Sequence, residues 1–191
     1  MEKVEINKNM KLSEHFTLGE MCKTKHVTAD GNIPSRVVIE NLIRVCGWLE
    51  ELRVLAGVRP QSEVCAGVRP QSKVAGDCTL APDPGAALDP GAAPSARKEV
   101  PIVINSGYRS PEVNRLAGGA ANSNHLSGCA VDIRCAGKEQ MIRYASILLD
   151  IADGSKQEYD ELLLEQHGSV CWLHFAVRPK ENRRIIRFLR V

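Results

Sequence analysis

Two histidines and one aspartate are the side chains best suited to chemistry: His125, Asp132 and His174. His125 precedes Asp132 by seven positions, across Ser127 and Gly128, so the histidine falls on a loop that enters the strand bearing the aspartate. His174 sits in the strand-like run VCWLHFAV, where alternation gives it the same face as Trp172 and Ala176. Two imidazoles and a carboxylate suit zinc. Three protein ligands also leave a fourth position open, as hydrolytic zinc needs for the water whose pKa it lowers to about 7. On spacing alone, a hydrogen-bonded structural histidine is the commoner reading of each.

The surrounding elements have to bring these three together. VPIVINSGYRS, with Val100, Ile102, Val103 and Ile104, predicts a buried strand running into a turn at Gly107. Ser110 and Pro111 have the types of an N-cap and first helical residue for PEVNRLAGG, and Gly118 and Gly119 end that helix. CAVDIR predicts a strand with Ala130 and Asp132 on one face and Val131 and Ile133 on the other. KEQMIRYASILLDIA reads as an amphipathic helix with Met141, Ile142, Ala145, Leu148 and Leu149 as its apolar stripe. ELLLEQHG and VCWLHFAV, separated by a Gly-Ser turn, predict a hairpin. Upstream, Ser13 and Thr17 are each placed to cap a short helical turn, and Glu20 completes a capping box with Thr17. After Pro34 and Ser35, Val38, Ile39, Leu42, Ile43, Cys46, Leu49 and Leu52 repeat at helical spacing. The expected class is α+β, a small antiparallel sheet flanked by helices.

Beyond Leu55 the composition changes. AGVRPQS occurs at 56–62 and again at 66–72, and DPGAAL at 83–88 is followed by DPGAAP at 89–94. Such short Gly, Pro and Ala repeats match no solenoid unit and carry too little apolar surface to offset chain entropy. The expectation is one domain made of an N-terminal helical part, 1–55, and a zinc-binding part, 99–191, interrupted by a low-complexity, disordered insertion at 56–98.

Composition narrows the partners. A net charge of +2, from 25 basic and 23 acidic side chains, gives no global field to recruit nucleic acid or membrane. Aromatics make up 4%, too few for base-stacking platforms, and no stretch has the apolar length of a bilayer span. The charged N-terminus, MEKVEINKNMKLSEHF, predicts cytoplasmic synthesis without a secretory signal, and a monomer is expected. Seven cysteines without a CxxC pair argue against a disulfide framework or a cysteine-ligated zinc ribbon, so most are expected to be reduced and inert. The C-terminal run RPKENRRIIRFLR, six basic side chains against one acidic, reads as a solvated helix or strand edge, with attraction to anionic wall polymers or lipid as the weaker alternative.

SNHLSGCAVD, 123–132, resembles the SxHxxGxAxD signature of the zinc D-Ala-D-Ala peptidase family, matching at Ser123, His125, Gly128, Ala130 and Asp132. INSGYRSPEVN resembles the SGYRS segment of that family, WLHFAV its last-ligand strand, and LSEHFTLGEM the N-terminal part of its carboxypeptidase-like branch. The resemblance implies a hedgehog/DD-peptidase fold and zinc held by His125, Asp132 and His174. Arg109 would bind a substrate carboxylate or the developing oxyanion, and Ser123 would offer a hydroxyl to substrate or orient the histidine loop.

Many members carry ExxH, but Cys171 stands three before His174, and a thiol there is a poor substitute for a carboxylate. DELLLE resembles the branch's DQLIxE segment, so Glu165 is the expected general base, with Asp160 and Glu161 as nearby alternatives and His167 as a second acid or transition-state donor. The implied activity is zinc-dependent hydrolysis of peptidoglycan peptides, by a D-Ala-D-Ala carboxypeptidase or a stem-peptide endopeptidase acting after lysis or release. The alternative kept open by Cys171 is a non-catalytic wall-binding or structural module that retains the fold.

Overall fold

The computed structural model describes residues 7–58 and 100–191. Both stretches contribute to one apolar core. The insertion expected at 56–98 lies, from residue 59 on, outside the described residues, as do Cys65 and Cys78.

The chain begins with a short helix, α1 (Leu18–Met21), opened by the capping box of Thr17 and Glu20. Ser13 caps no helix. Its hydroxyl instead donates to Glu50 Oε1 at 2.6 Å, tying the N-terminal segment to the long helix α2 (Arg36–Val58). That helix buries Leu42, Val45, Cys46, Leu49 and Leu52, and runs three residues past the composition change at Leu55.

β1 (Ile104–Ser106) is shorter than its apolar run, with Val103 half exposed just before it. α3 (Pro111–Leu116) starts as its sequence dictates, with Ser110 Oγ accepting from the Val113 amide and Pro111 at the first helical position. A single 3-10 turn (Asn124–Ser127) leads into β2 (Ala130–Cys135). α4 (Lys138–Ser155) follows, then the hairpin β3 (Glu161–His167) and β4 (Val170–Ala176). The buried stripe of α4 is rotated from the expected one: Tyr144, Ile147 and Ile151 are inside, and Ile142 is half exposed.

The five strands lie in the order β1-β2-β4-β3-β5, where β5 is Ile185–Arg190. All neighbours are antiparallel except β3 and β5, which run parallel. The sheet is therefore mixed, correcting the antiparallel expectation, and the basic C-terminal run is an edge strand rather than a solvated helix. The cause is the turn at 177–184, where the chain reverses after β4, crosses the start of β3 and lands beyond it. Two backbone bonds hold this crossing, Arg184 N to Tyr159 O and Ile185 N to Asp160 O.

Alternation along these strands sorts the sheet into two faces. Val131, Ile133, Leu162, Leu164, Cys171, Leu173 and Phe175 join the core with α2 and α4. Ala130, Asp132, Glu161, Leu163, Glu165 and His174 occupy the other face, because Asp132 and Leu163 both pair with His174. None of the described helices is long and apolar enough to cross a membrane.

Candidate metal centre

The open face of the sheet brings His125, Asp132 and His174 together, all buried, with one ligand atom from each within 4.8 Å of the others. Asp132 Oδ1 lies 3.2 Å from His125 Nε2 and 2.9 Å from His174 Nδ1. Zinc with nitrogen and oxygen ligands at about 2.1 Å, in a tetrahedron, separates its ligand atoms by about 3.4 Å. The donor set and its spacing therefore fit zinc.

Each ligand is oriented by a neighbour. His125 Nδ1 is 2.6 Å from the Gly107 carbonyl oxygen. A carbonyl only accepts, so Nδ1 carries the proton and the Nε2 lone pair faces the cluster. Asp132 Oδ2 accepts from Arg109 Nη2 at 2.5 Å, and Arg109 Nε donates to Ser106 Oγ at 2.8 Å. His174 Nε2 faces Glu161 Oε2 at 3.6 Å.

The electrostatics favour a cation. Burial opposes the charged form of Asp132, but the adjacent His125 and His174 outweigh it and hold its carboxyl well below the usual range. Burial likewise pushes His174 down, and its contacts with Asp132 and Glu161 reverse this and raise it to about 9. The carboxylates around the cluster thus draw positive charge to it.

Local backbone contacts fix the loops. The Ser123 hydroxyl oxygen accepts from the His125 amide and caps the 3-10 turn, which ends at Gly128 with φ of 70°. A Cβ at Gly128 would stand 2.8 Å from the Val38 carbonyl oxygen, so only glycine lets this turn sit on α2. Asn41 donates from the same helix to the Ser127 carbonyl. Asn32, buried and not singled out by any sequence pattern, accepts from the Ser110 amide and donates to the Cys22 and Tyr108 carbonyls, holding the SGYRS segment in place.

The cluster opens onto a cavity of about 300 Å³ that Arg109, Ser123, Glu161 and Glu165 also line. The carboxylate candidates differ there. Burial holds the half-buried Glu165 above the ordinary carboxylate range despite the opposing charge of His174. Glu161 is held below it by His174, with further hydrogen bonds from Asn124 Nδ2 and Arg183 Nη2. Asp160 is fully buried and does not line the cavity: Arg183 grips both its oxygens at 2.8 and 2.7 Å, and Asn124 donates to it at 2.7 Å. His167, exposed, donates from Nδ1 to the Val191 carbonyl and is also absent from the cavity wall. Cys171 pairs with Cys135 and Gln166 on the core face, 4% exposed. A strand position three before His174 points away from His174, so its side chain has no route to the metal cluster.

The α+β fold thus sets two histidines and a carboxylate, a donor set that suits a zinc ion, at the floor of an open cavity. The family model for peptidase M15, the zinc D-Ala-D-Ala peptidase family, matches residues 91–157. That stretch contains the SGYRS segment, His125 and Asp132, and the fold adds His174 from beyond it. The family matched is the one the motifs resemble. No curated protein matches the chain.

Proposed function

We propose that the protein is a zinc-dependent peptidase that hydrolyses peptidoglycan peptides, either removing a terminal D-Ala or cutting the stem peptide. The observation that carries this reading is one cavity holding both the His125, Asp132 and His174 cluster and Glu165, a carboxyl made more basic by burial. When bound, zinc would polarise the scissile carbonyl and acidify water. Glu165 takes the proton of the attacking water and hands it to the leaving amine. Arg109 is fixed by Asp132 and Ser106, and its remaining donors serve the developing oxyanion or a terminal carboxylate. Ser123 uses its oxygen as a cap and keeps its hydroxyl proton for substrate. Glu161 acts as a positioning residue, holding the His174 ring. In this reading the protein works as a monomer on wall reached by lysis or release.

The test is digestion of purified peptidoglycan with and without a zinc chelator, with the fragments weighed. Chelator-sensitive loss of one alanine identifies a carboxypeptidase, and a split stem an endopeptidase. Glu165→Gln should retain zinc and lose turnover, and undiminished activity would remove Glu165 as the base. A folded, zinc-loaded protein that leaves every fragment intact would instead establish the non-catalytic module.

A further inference from the structure

Arg109 also lines a second cavity, of about 570 Å³, beside the metal centre. Lys23, Lys25 and His26, from the segment after α1, form one side of it, and Arg134 of β2 and Arg109 contribute to the rest. Among the described residues that line it there is no aspartate or glutamate. Lys23, Lys25 and Arg134 are exposed, and among the described residues none of them makes an ion pair. Elsewhere around the site the arginines are engaged: Arg178 and Arg183 by Asp160, Arg184 by Asp153. A chain with a net charge of only +2 has thus left one groove with a single sign of charge, next to its candidate metal centre.

The groove also runs along β1, the end strand of the sheet, whose outer edge pairs with no strand among the described residues. An open strand edge offers main-chain donors and acceptors to an extended peptide. Apart from His26 no described lining residue has an aromatic ring, so they offer no stacking surface of the kind a nucleic-acid site uses. Cationic side chains over an open strand edge suit a peptide that carries carboxylates.

We infer that this groove binds the acidic stretch of the substrate peptide, its carboxylates against Lys23, Lys25 and Arg134 and its backbone along β1, so that Arg109 passes the next residues to the metal centre. What is cut rests on the peptidase reading, whereas what is bound does not.

The experiment uses the full-length protein, stripped of metal, and two N-acetylated hexapeptides ending in D-Ala-D-Ala. One carries two glutamates ahead of that end and the other two glutamines, with affinity read by titration calorimetry. Two added carboxylates against three exposed cations, each contact weak alone, predict about tenfold tighter binding of the acidic peptide at low salt. That preference should vanish in Lys23→Gln/Lys25→Gln/Arg134→Gln and at about 0.5 M salt. All three side chains are exposed, so circular dichroism and melting of the variant should match the parent, and Lys23→Gln/Lys25→Gln alone should lose part of the preference. Equal affinity of the two peptides for the parent protein, or an acidic preference that survives in the triple variant, overturns the inference. Cleavage of both peptides by the zinc-loaded protein, adjusted for binding, separates the two readings. An acidic preference in binding with neither peptide cut supports the groove and defeats the peptidase, and equal binding with both cut does the reverse.

Discussion

Gly107→Ala tests whether the histidine loop is held by the N-terminal segment. A Cβ added at Gly107 would stand 2.3 Å from the Met21 carbonyl oxygen and 3.1 Å from its carbon and Cα, whereas ordinary contact begins at 3.4 Å. Relief requires a backbone shift of about 1 Å. Met21 cannot easily yield, since it is fully buried and its carbonyl accepts from the Tyr108 amide at 2.7 Å. Gly107 would therefore move, taking with it the carbonyl that holds His125 Nδ1. Overfilling costs about 1–3 kcal/mol, and weakening the Tyr108 bond adds about 1 kcal/mol. A loss near 3 kcal/mol lowers the melting temperature by roughly 6–12 °C for a chain of this size. Misplacing a ligand's orienting partner should weaken zinc by about 10- to 100-fold. Thermal melts of the metal-free protein and chelator competition for zinc measure the two effects separately. An unchanged melting temperature would refute the contact. A lowered one with zinc affinity within about twofold of the parent would refute the link between this turn and the metal centre.

Gly47, exposed within α2 and with nothing within 4 Å of its added Cβ, is the matched control: Gly47→Ala should stabilise by about 0.5–1 kcal/mol, seen as a rise in melting temperature. Asp160 is held below its ordinary carboxyl value because hydrogen bonds from Arg183 and Asn124 outweigh its burial. Its contribution should be complete above the unfolded value near pH 4 and fall away as pH drops through the lower folded value. The melting-temperature gap between the parent and Asp160→Asn should accordingly be wide at neutral pH and close in strong acid, and a pH-independent gap would contradict this. Zinc at about 100 times its dissociation constant should stabilise the fold by about 2.7 kcal/mol, and a chelator should remove that increment while His125→Ala should show none of it.

Much of the architecture was legible because its signals are local. Thr17 with Glu20, and Ser110 with Pro111, are contained within a few residues and form the caps they suggest. Alternation in CAVDIR groups Asp132 with Ala130, and in the hairpin His174 with Trp172 and Ala176; that the two groups share a face follows from the pairing of β2 with β4. The same alternation sets Cys171 on the face opposite His174, and the fold makes that face the core. Other features depend on partners distant in sequence. Ser13 turns to Glu50, Asn32 reaches the SGYRS segment, and Asp160 is claimed by arginines beyond β4. Parallel pairing of β5 follows from where the preceding turn crosses, which the residues of the strand itself do not encode. The difference between Glu161 and Glu165 likewise depends on burial and neighbouring charge, whereas in sequence both are simply glutamates of DELLLE.

Beside their broad shared core, the two described stretches come together at a seam where one ends and the other begins. The Val100 amide lies 3.5 Å from the Arg53 carbonyl, and Arg143 Nη2 donates to the Ala56 carbonyl at 2.6 Å, so the chain rejoins the fold beside the end of the helix it left. Two fixed posts this close make the seam a natural splice point. Ala56 and Val100 both pack on the core, whereas the metal centre lies on the other face of the sheet. The seam is also where a tag or a reporter could be grafted.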